Sequence, residues 1–521
     1  MHHRHSFHAL LNPAREHLVS KMKVMLAVAL FCGCFSAFAQ LAVTPSLPES
    51  TWSRKMWLPR FDEKKALAEK GGYDIVFIGD SIIRGWETKG AKVWAENFAE
   101  GSYKALNCGI SGDRTEHVLW RLENGQLANL SPKVFVIMIG TNNTGHRNAD
   151  FEPPVDTILG IQSIVKFLRK NYKSAKIILH PIFPRGATVD DPNRIRNDVV
   201  NGAIRLLADK KSVIWCNFNG RLLSPKGELS REMAKDLLHP EEAGYAIWAE
   251  ELKPFLDYAL GRTEKLPETA APRARTALRW SRQASTLPQI KDYWFNNPSS
   301  RVKARIRDKR AEQCANAERY YDAIMVGDSI THFWEGKNGA EVFKSKFRGY
   351  KIFNVGFGGD KTQNTLWNIL YGGFLDGVHT RLVTLMIGTN NVWHDSPEDI
   401  AAGIKACVEA IRKKQPQAKL ILMPPIPREV ARKRNGRDYA RKNGKGETVM
   451  PKIVKVRELI RPFADGTNVI WFDLTERFTD PEGLPNVELL PDGTHPGSKG
   501  YAVWADALLP YLEKFCGKNQ R

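Results

Sequence analysis

One long block of this chain occurs twice, and that repetition limits what the chain can fold into. Tyr73-Asp74-Ile75-Val76-Phe77-Ile78-Gly79-Asp80-Ser81-Ile82 is matched by Tyr321-Asp322-Ala323-Ile324-Met325-Val326-Gly327-Asp328-Ser329-Ile330. Asn107-Cys108-Gly109-Ile110-Ser111-Gly112-Asp113 is matched by Asn354-Val355-Gly356-Phe357-Gly358-Gly359-Asp360. Met138-Ile139-Gly140-Thr141-Asn142-Asn143 recurs unchanged from Met386 to Asn391, and Asp236-Leu237-Leu238-His239-Pro240 answers to Asp492-Gly493-Thr494-His495-Pro496. The copies keep step: 61 residues separate Ser81 from Asn142, and 61 separate Ser329 from Asn390. A unit of this length is a duplicated domain rather than a solenoid repeat. The 521 residues leave room for two or three domains with full cores.

Within the first copy, short apolar runs at Ile75–Ile78, Val134–Ile139, Ile177–Leu179 and Val213–Trp215, with Tyr103–Leu106 as a further strand, alternate with longer amphipathic stretches. Continuous apolar strands between helices predict an α/β domain whose five-stranded parallel sheet is covered on both faces. The second copy repeats the pattern near Ala323–Val326, Lys351–Asn354, Leu382–Ile387, Leu420–Met423 and Val469–Phe472. The expected domains span 52–260 and 294–515, joined by a linker at 261–293 marked by Pro267, Pro272 and Pro288. A last helix is predicted from Glu241 to Leu260, just after Pro240. The second copy is longer between its Asn and its His, and Arg428 to Lys452, rich in basic residues, is the expected insertion. That run reads either as a solvated loop or as a lid for anionic substrates.

Residues 1–39 differ from the rest. Lys21-Met22-Lys23 precedes an apolar run from Val24 to Phe38 that ends in Ala37-Phe38-Ala39. This is the pattern of a secretory signal, with cleavage expected after Ala39 and an exported, secreted or periplasmic, product. The run is short for a membrane span, and no transmembrane segment is expected after its removal. Export permits disulfides, yet Cys108, Cys216, Cys314, Cys407 and Cys516 are odd in number and occupy no matching places in the repeat, so no disulfide framework is expected. No Cys/His spacing suggests a metal, and no cofactor is expected. The net charge of +20 favours acidic partners at long range. No nucleic-acid-binding motif accompanies it, so nucleic acid is not an expected partner and anionic glycans or lipid headgroups suit the charge better.

The recurring polar residues fit one chemistry. A serine hydroxyl attacks only when a base takes its proton and a third group orients that base. Ser81, His239 and Asp236 supply these parts in the first copy; Ser329, His495 and Asp492 supply them in the second. Acyl transfer also needs donors aimed at the developing oxyanion. Gly112 and Asn142, with Gly359 and Asn390, follow the second and third strands and could provide them, although both glycines also read as plain turn residues. Asp80 and Asp328 are expected to cap the helix after each serine. Trp120 and Trp367 read as core, and His117, where the other copy has Asn364, as a surface residue.

With these four blocks in order twice, the chain resembles two SGNH (GDSL-type) hydrolases in tandem. Both copies are most similar to the catalytic subunits of type I platelet-activating factor acetylhydrolase, which share the run from Gly112-Asp113-Arg114-Thr115 to Glu123-Asn124-Gly125, the Gly-Thr-Asn-Asn block and the DxxHP ending. The resemblance implies a flavodoxin-like three-layer α/β/α fold with strand order 2-1-3-4-5, and metal-free ester hydrolysis. The wider family usually has Asp where this chain has Asn143 and Asn391. The expected substrates are small-molecule or glycan esters of short acyl groups, with lipid esters, or a second copy serving only as a glycan-binding module, as alternatives.

Overall fold

The computed structural model describes residues 41–99, 103–146, 152–268, 288, 301–428, 449–481, 483 and 485–517. The expected export signal (1–39), most of the expected linker and the body of the basic insertion (429–448) lie outside the described residues.

Each copy builds a five-stranded, all-parallel sheet. In the first, β1 (Ile75–Gly79), β2 (Ala105–Gly109), β3 (Val134–Met138), β4 (Lys176–Leu179) and β5 (Val213–Trp215) lie in the order β2-β1-β3-β4-β5. In the second, β6 (Tyr320–Gly327), β7 (Ile352–Gly356), β8 (His379–Met386), β9 (Lys419–Met423) and β10 (Val469–Trp471) repeat that order. The predicted three-layer α/β architecture is therefore present twice. Alternation along each strand explains the unbroken apolar runs. Val76 and Ile78 enter one core layer, while Ile75 and Phe77 enter the other, beneath the helix Glu242–Ala259.

Several strand limits differ from the sequence reading, most of all the starts of β2, β6 and β8. β2 starts at Ala105 rather than Tyr103, whose hydroxyl donates to Asp257 of the last helix at 2.7 Å. β6 starts three residues before the apolar run, pairing Tyr320 with His379 and Tyr321 with Thr380. Asp322 interrupts the apolar pattern there, but its carboxylate accepts the Lys351 N–H at 2.7 Å and is satisfied at the sheet's end. Among the described residues all five cysteines are free and buried, and no helix is long and apolar enough to cross a membrane.

The copies touch through a buried contact. One apolar cluster runs from the first sheet (Val76, Ile137, Ile177) into the second (Ile324, Val383, Leu420). Beside it, Arg310 on the helix Arg301–Ala315 donates through Nε and Nη2 to both oxygens of Asp156 at 3.2 and 2.8 Å. Asp156 lies in the first turn of the helix Pro154–Asn171, where unpaired N–H groups favour an anion. Gly373, with φ +73°, permits the approach: a Cβ there would stand 2.3 Å from Pro153 Cγ.

Candidate active sites

Parallel strands end on one edge of each sheet, and the recurrent residues gather there. Ser81 stands one residue beyond the end of β1, with Asp80 between them and its Oδ1 accepting the Ile82 N–H at 2.9 Å to start the short helix Ser81–Arg84. Gly79 before it has no room for a side chain, since a Cβ would lie 2.2 Å from Met138 O on β3. Ser329 and Asp328 repeat this geometry, with Ile330 N–H on Asp328 Oδ1 at 2.9 Å. Burial pushes the Asp80 carboxyl up to about 7 and that of Asp328 up to about 6, against those bonds. Both act as caps, as the sequence predicts.

His239 and Asp236 sit on one tight turn before the last helix. Asp236 Oδ1 accepts the N–H groups of Leu238 and His239 at 3.0 and 2.8 Å, so its Oδ2 faces His239 Nδ1 at 2.6 Å. The other ring nitrogen, Nε2, stands 2.8 Å from Ser81 Oγ. In the second copy Asp492 Oδ2 to His495 Nδ1 is 2.8 Å and His495 Nε2 to Ser329 Oγ is 2.9 Å. Leu237 takes the left-handed conformation (φ +58°) that Gly493 takes in the other copy (φ +73°), which bends both turns alike. Burial lifts the Asp236 and Asp492 carboxyls, but the bonds from His239 and His495 outweigh it and hold both down at about 2. Each aspartate is therefore an anion at neutral pH, placed to accept Nδ1–H and to steady the imidazolium that forms when Nε2 takes a proton. Such a relay can deprotonate a serine and return the proton to a leaving alcohol.

The expected donors lie on the same sheet edge as each serine, in the segments after the second and third strands of each copy. Gly112 (φ +80°) and Gly359 (φ +75°) turn the chain after β2 and β7, and a Cβ on Gly112 would meet open space. Asn142 Nδ2 donates to Asp113 O at 2.9 Å, and Asn390 Nδ2 to Asp360 O at 2.9 Å. These bonds fix the orientation of each amide, and Asn390 Nδ2 also meets Asp328 Oδ2 at 3.5 Å. From the loops after β4 and β9, Arg185 and Arg428 donate to Thr141 O and Thr389 O at 3.1 and 2.7 Å, pinning the residue before each asparagine. The matching Pro-Arg pairs are visible in the sequence, though only their place in the fold shows what they hold. Among the described residues no group of three or more His, Cys, Asp or Glu could hold a metal ion.

Asn143 explains the departure from the usual Asp. Its Oδ1 accepts the Thr115 N–H at 3.1 Å, as a carboxylate also could. Its Nδ2, however, donates to Glu116 Oε2 at 3.1 Å and Glu152 Oε1 at 2.6 Å, both on buried residues. A carboxylate here would face two others out of water. Asn391 faces Gln363 Oε1 and Asp395 Oδ2, at 3.2 and 2.7 Å. Asn143→Asp is accordingly expected to destabilise the protein by about 1–3 kcal/mol, the usual cost of an unsatisfied buried polar group. Asn391→Asp, facing one carboxylate, should cost less. Thermal unfolding of both variants checks this; an equal or smaller loss for Asn143→Asp would refute the reason given.

His117 corrects the sequence reading. It is buried, its Nδ1 accepts the Arg114 N–H at 3.2 Å, and its ring meets Trp57 edge-on. Asn364 Oδ1 accepts the Lys361 N–H at 3.1 Å in the same place, so the two residues close the same helix start with different chemistry. Trp120 packs on Trp57 and Phe61, and Trp367 is buried in the main core, as predicted.

This edge, built twice, gathers the residue types that a serine-hydrolase relay uses, and comparison with known proteins gives the family. The protein belongs to the GDSL-like Lipase/Acylhydrolase family, whose model matches residues 77–247 and again 325–503. It is a carboxylic-ester hydrolase by that membership. The chain is 32% identical over 228 residues to platelet-activating factor acetylhydrolase IB subunit alpha2 of Rattus norvegicus, covering 44% of this chain and 93% of that protein. It is 34% identical over 174 residues to subunit alpha1 of Pongo abelii, covering 33% of this chain and 71% of that protein. Solved structures that it resembles include the acetylxylan esterase Axe2 of Geobacillus stearothermophilus (21% identity, TM-score 0.30, 38% of this chain and 98% of that one). Another is the carbohydrate acetylesterase Est24 of Sinorhizobium meliloti (18% identity, TM-score 0.29, 37% of this chain and 98% of that one).

Proposed function

We propose that the protein is an exported esterase with two active sites that removes short acyl groups, acetyl above all, from carbohydrate esters. The observation that carries the two-site reading is the complete Ser–His–Asp relay in each copy, with Ser–His distances of 2.8 and 2.9 Å. Ser81 Oγ attacks the ester carbonyl while His239 Nε2 takes its proton and Asp236 steadies the imidazolium through Nδ1–H. The tetrahedral oxyanion lies against the Ser81 and Gly112 N–H groups and Asn142 Nδ2. His239 then protonates the leaving alcohol, and the acyl group stays on Oγ. Water enters, His239 takes its proton, and a second tetrahedral collapse releases the acid and frees Ser81. Ser329, His495, Asp492, Gly359 and Asn390 do the same work in the second copy.

The acetyl preference is supported by the similarity to acetylhydrolase subunits. Export is supported by the Lys21–Ala39 pattern, and the basic surplus suits glycans that carry acidic groups. A lipid ester is the second reading, because the same relatives are named for platelet-activating factor. The test is kcat/KM on acyl esters of one alcohol from two to ten carbons, beside acetylated xylan and a lysophospholipid. Acetyl esters should turn over fastest and the glycan should be deacetylated. A rate that rises with chain length, with the lysophospholipid as the best substrate, would replace this reading with the lipid one.

A further inference from the structure

The two sites share their relay but not their rim. Three matched positions beside the nucleophile differ: Arg84, Gly85 and Ser111 in the first copy stand where His332, Phe333 and Gly358 stand in the second. In the first, Arg84 Nη1 donates to Ser111 Oγ at 3.1 Å, and both residues are exposed. A cation and a hydroxyl thus lie next to Gly112. Gly85 carries no side chain, and a Cβ there would fall 1.9 Å from Tyr245 Oη, so a ring at this position would require the tyrosine to shift.

At these matched positions the second rim is aromatic, with no cation in place of Arg84. Phe333 is one of four large exposed hydrophobic side chains among the described residues, and its ring centroid lies 5.1 Å from that of His495. His332 sits against it at 5.4 Å, with Nδ1 buried and without a hydrogen-bond partner among the described residues. Burial, helped by Arg305, pushes His332 down to about 4, so it is neutral at pH 7. A Cβ on Gly358 would stand 3.5 Å from His332 Nδ1 and 4.0 Å from Ser329 Cβ, which puts this rim beside the nucleophile. An exposed phenyl face beside a catalytic imidazole offers a flat apolar surface to whatever is esterified there.

We propose that the two centres divide the substrate range: the second takes esters whose ring face stacks on Phe333, and the first takes esters carrying an anionic group within reach of Arg84. This rests on the reading that both relays are catalytic. Two kinds of ring present such a face, an aryl group and a pyranose with its C–H groups on one side. A point charge at Arg84 selects for carboxylate, sulfate or phosphate by attraction that salt screens over about 8–10 Å.

The test uses the full-length chain with one site silenced. In the Ser81→Ala protein, kcat/KM is measured on phenyl acetate, a fully acetylated methyl xylopyranoside and acyclic ethyl acetate, before and after Phe333→Ala, Phe333→Leu and Phe333→Tyr. Losing the ring should lower the ring-to-acyclic ratio about three- to tenfold, mostly through KM, with ethyl acetate as the internal control. Phe333→Tyr should restore the ratio, and Phe333→Leu should not. Whether the aryl or the sugar ester falls further tells which ring is the natural fit. In the Ser329→Ala protein, Arg84→Gln should erase a preference for 3-acetoxybenzoate over phenyl acetate that weakens with added salt. An unchanged ring-to-acyclic ratio in Phe333→Ala, or an unchanged charge preference in Arg84→Gln, overturns the division of substrates while leaving two working sites. A Ser81→Ala or Ser329→Ala protein with no activity at all overturns the two-site reading, and this inference with it.

Discussion

Exchange of Ser81 and Ser329 together for alanine is expected to abolish ester hydrolysis, whereas either exchange alone leaves the other copy's share. Removing the nucleophile of a serine relay costs of the order of 10⁵–10⁶ in turnover at that site. Activity left after one exchange is therefore the output of the other site rather than residual chemistry. The two shares need not be equal, since Ser329 is 9% exposed while Ser81 is less enclosed. His239→Ala and His495→Ala should reproduce the pattern, because each relay fails as a unit. Burst kinetics with an activated acetate ester supply the count of sites: two acetyl groups per chain in the parent and one in each single variant. A burst of one in the parent, or full turnover in the double variant, would disprove the assignment of these serines.

Much of this was legible in the sequence because the parallel sheet writes itself plainly. A strand buried on both faces has to be apolar throughout, so Ile75–Ile78 and Val134–Ile139 stand out as unbroken runs. The polar residues after those runs then mark the sheet edge where Ser81, Gly112 and Asn142 gather. What escaped detection were residues whose meaning lies in an unseen neighbour. His117 reads as an exposed polar side chain until Trp57, sixty residues earlier, is found against its ring. Asn143 reads as a tolerated substitute for Asp until Glu116 and Glu152 are found facing its amide nitrogen. Gly85 and Phe333 differ in plain view, yet only the structure shows Tyr245 packed where a side chain on Gly85 would begin. The strand ends at Tyr320 and His379 were hidden for a simpler reason, since charged residues, Asp322 and Arg381, break the apolar runs there.

Loss of the ion pair between the copies is the second large effect expected, and no local pattern announces it. Arg310 and Asp156 are each about 2% exposed, and together they place a guanidinium and a carboxylate out of water in fork geometry. Burial alone would favour a neutral guanidine, but the Asp156 charge outweighs it and holds Arg310 above its usual range. Further bonds complete the arrangement, with Arg310 Nη1 on Gly373 O at 3.1 Å and Gln313 Nε2 on the same oxygen at 2.9 Å. Arg310→Ala strands Asp156 as a buried charge, and breaking such a pair from one side costs about 3–5 kcal/mol. For domains of this size that is a fall of roughly 10 °C in Tm. Asp156→Ala should cost a comparable amount by stranding Arg310. The double exchange Asp156→Leu with Arg310→Met removes both charges and keeps apolar volume, so it should recover most of the loss, and the cycle of four proteins isolates the coupling. Because the pair is buried, the loss should change little between low and high salt, unlike the effect at Arg84. The relays lie on the sheet edges and use neither residue, so kcat at 25 °C should stay near that of the parent. A loss under 1 kcal/mol in both single variants would mean that the apolar cluster alone holds the two copies together.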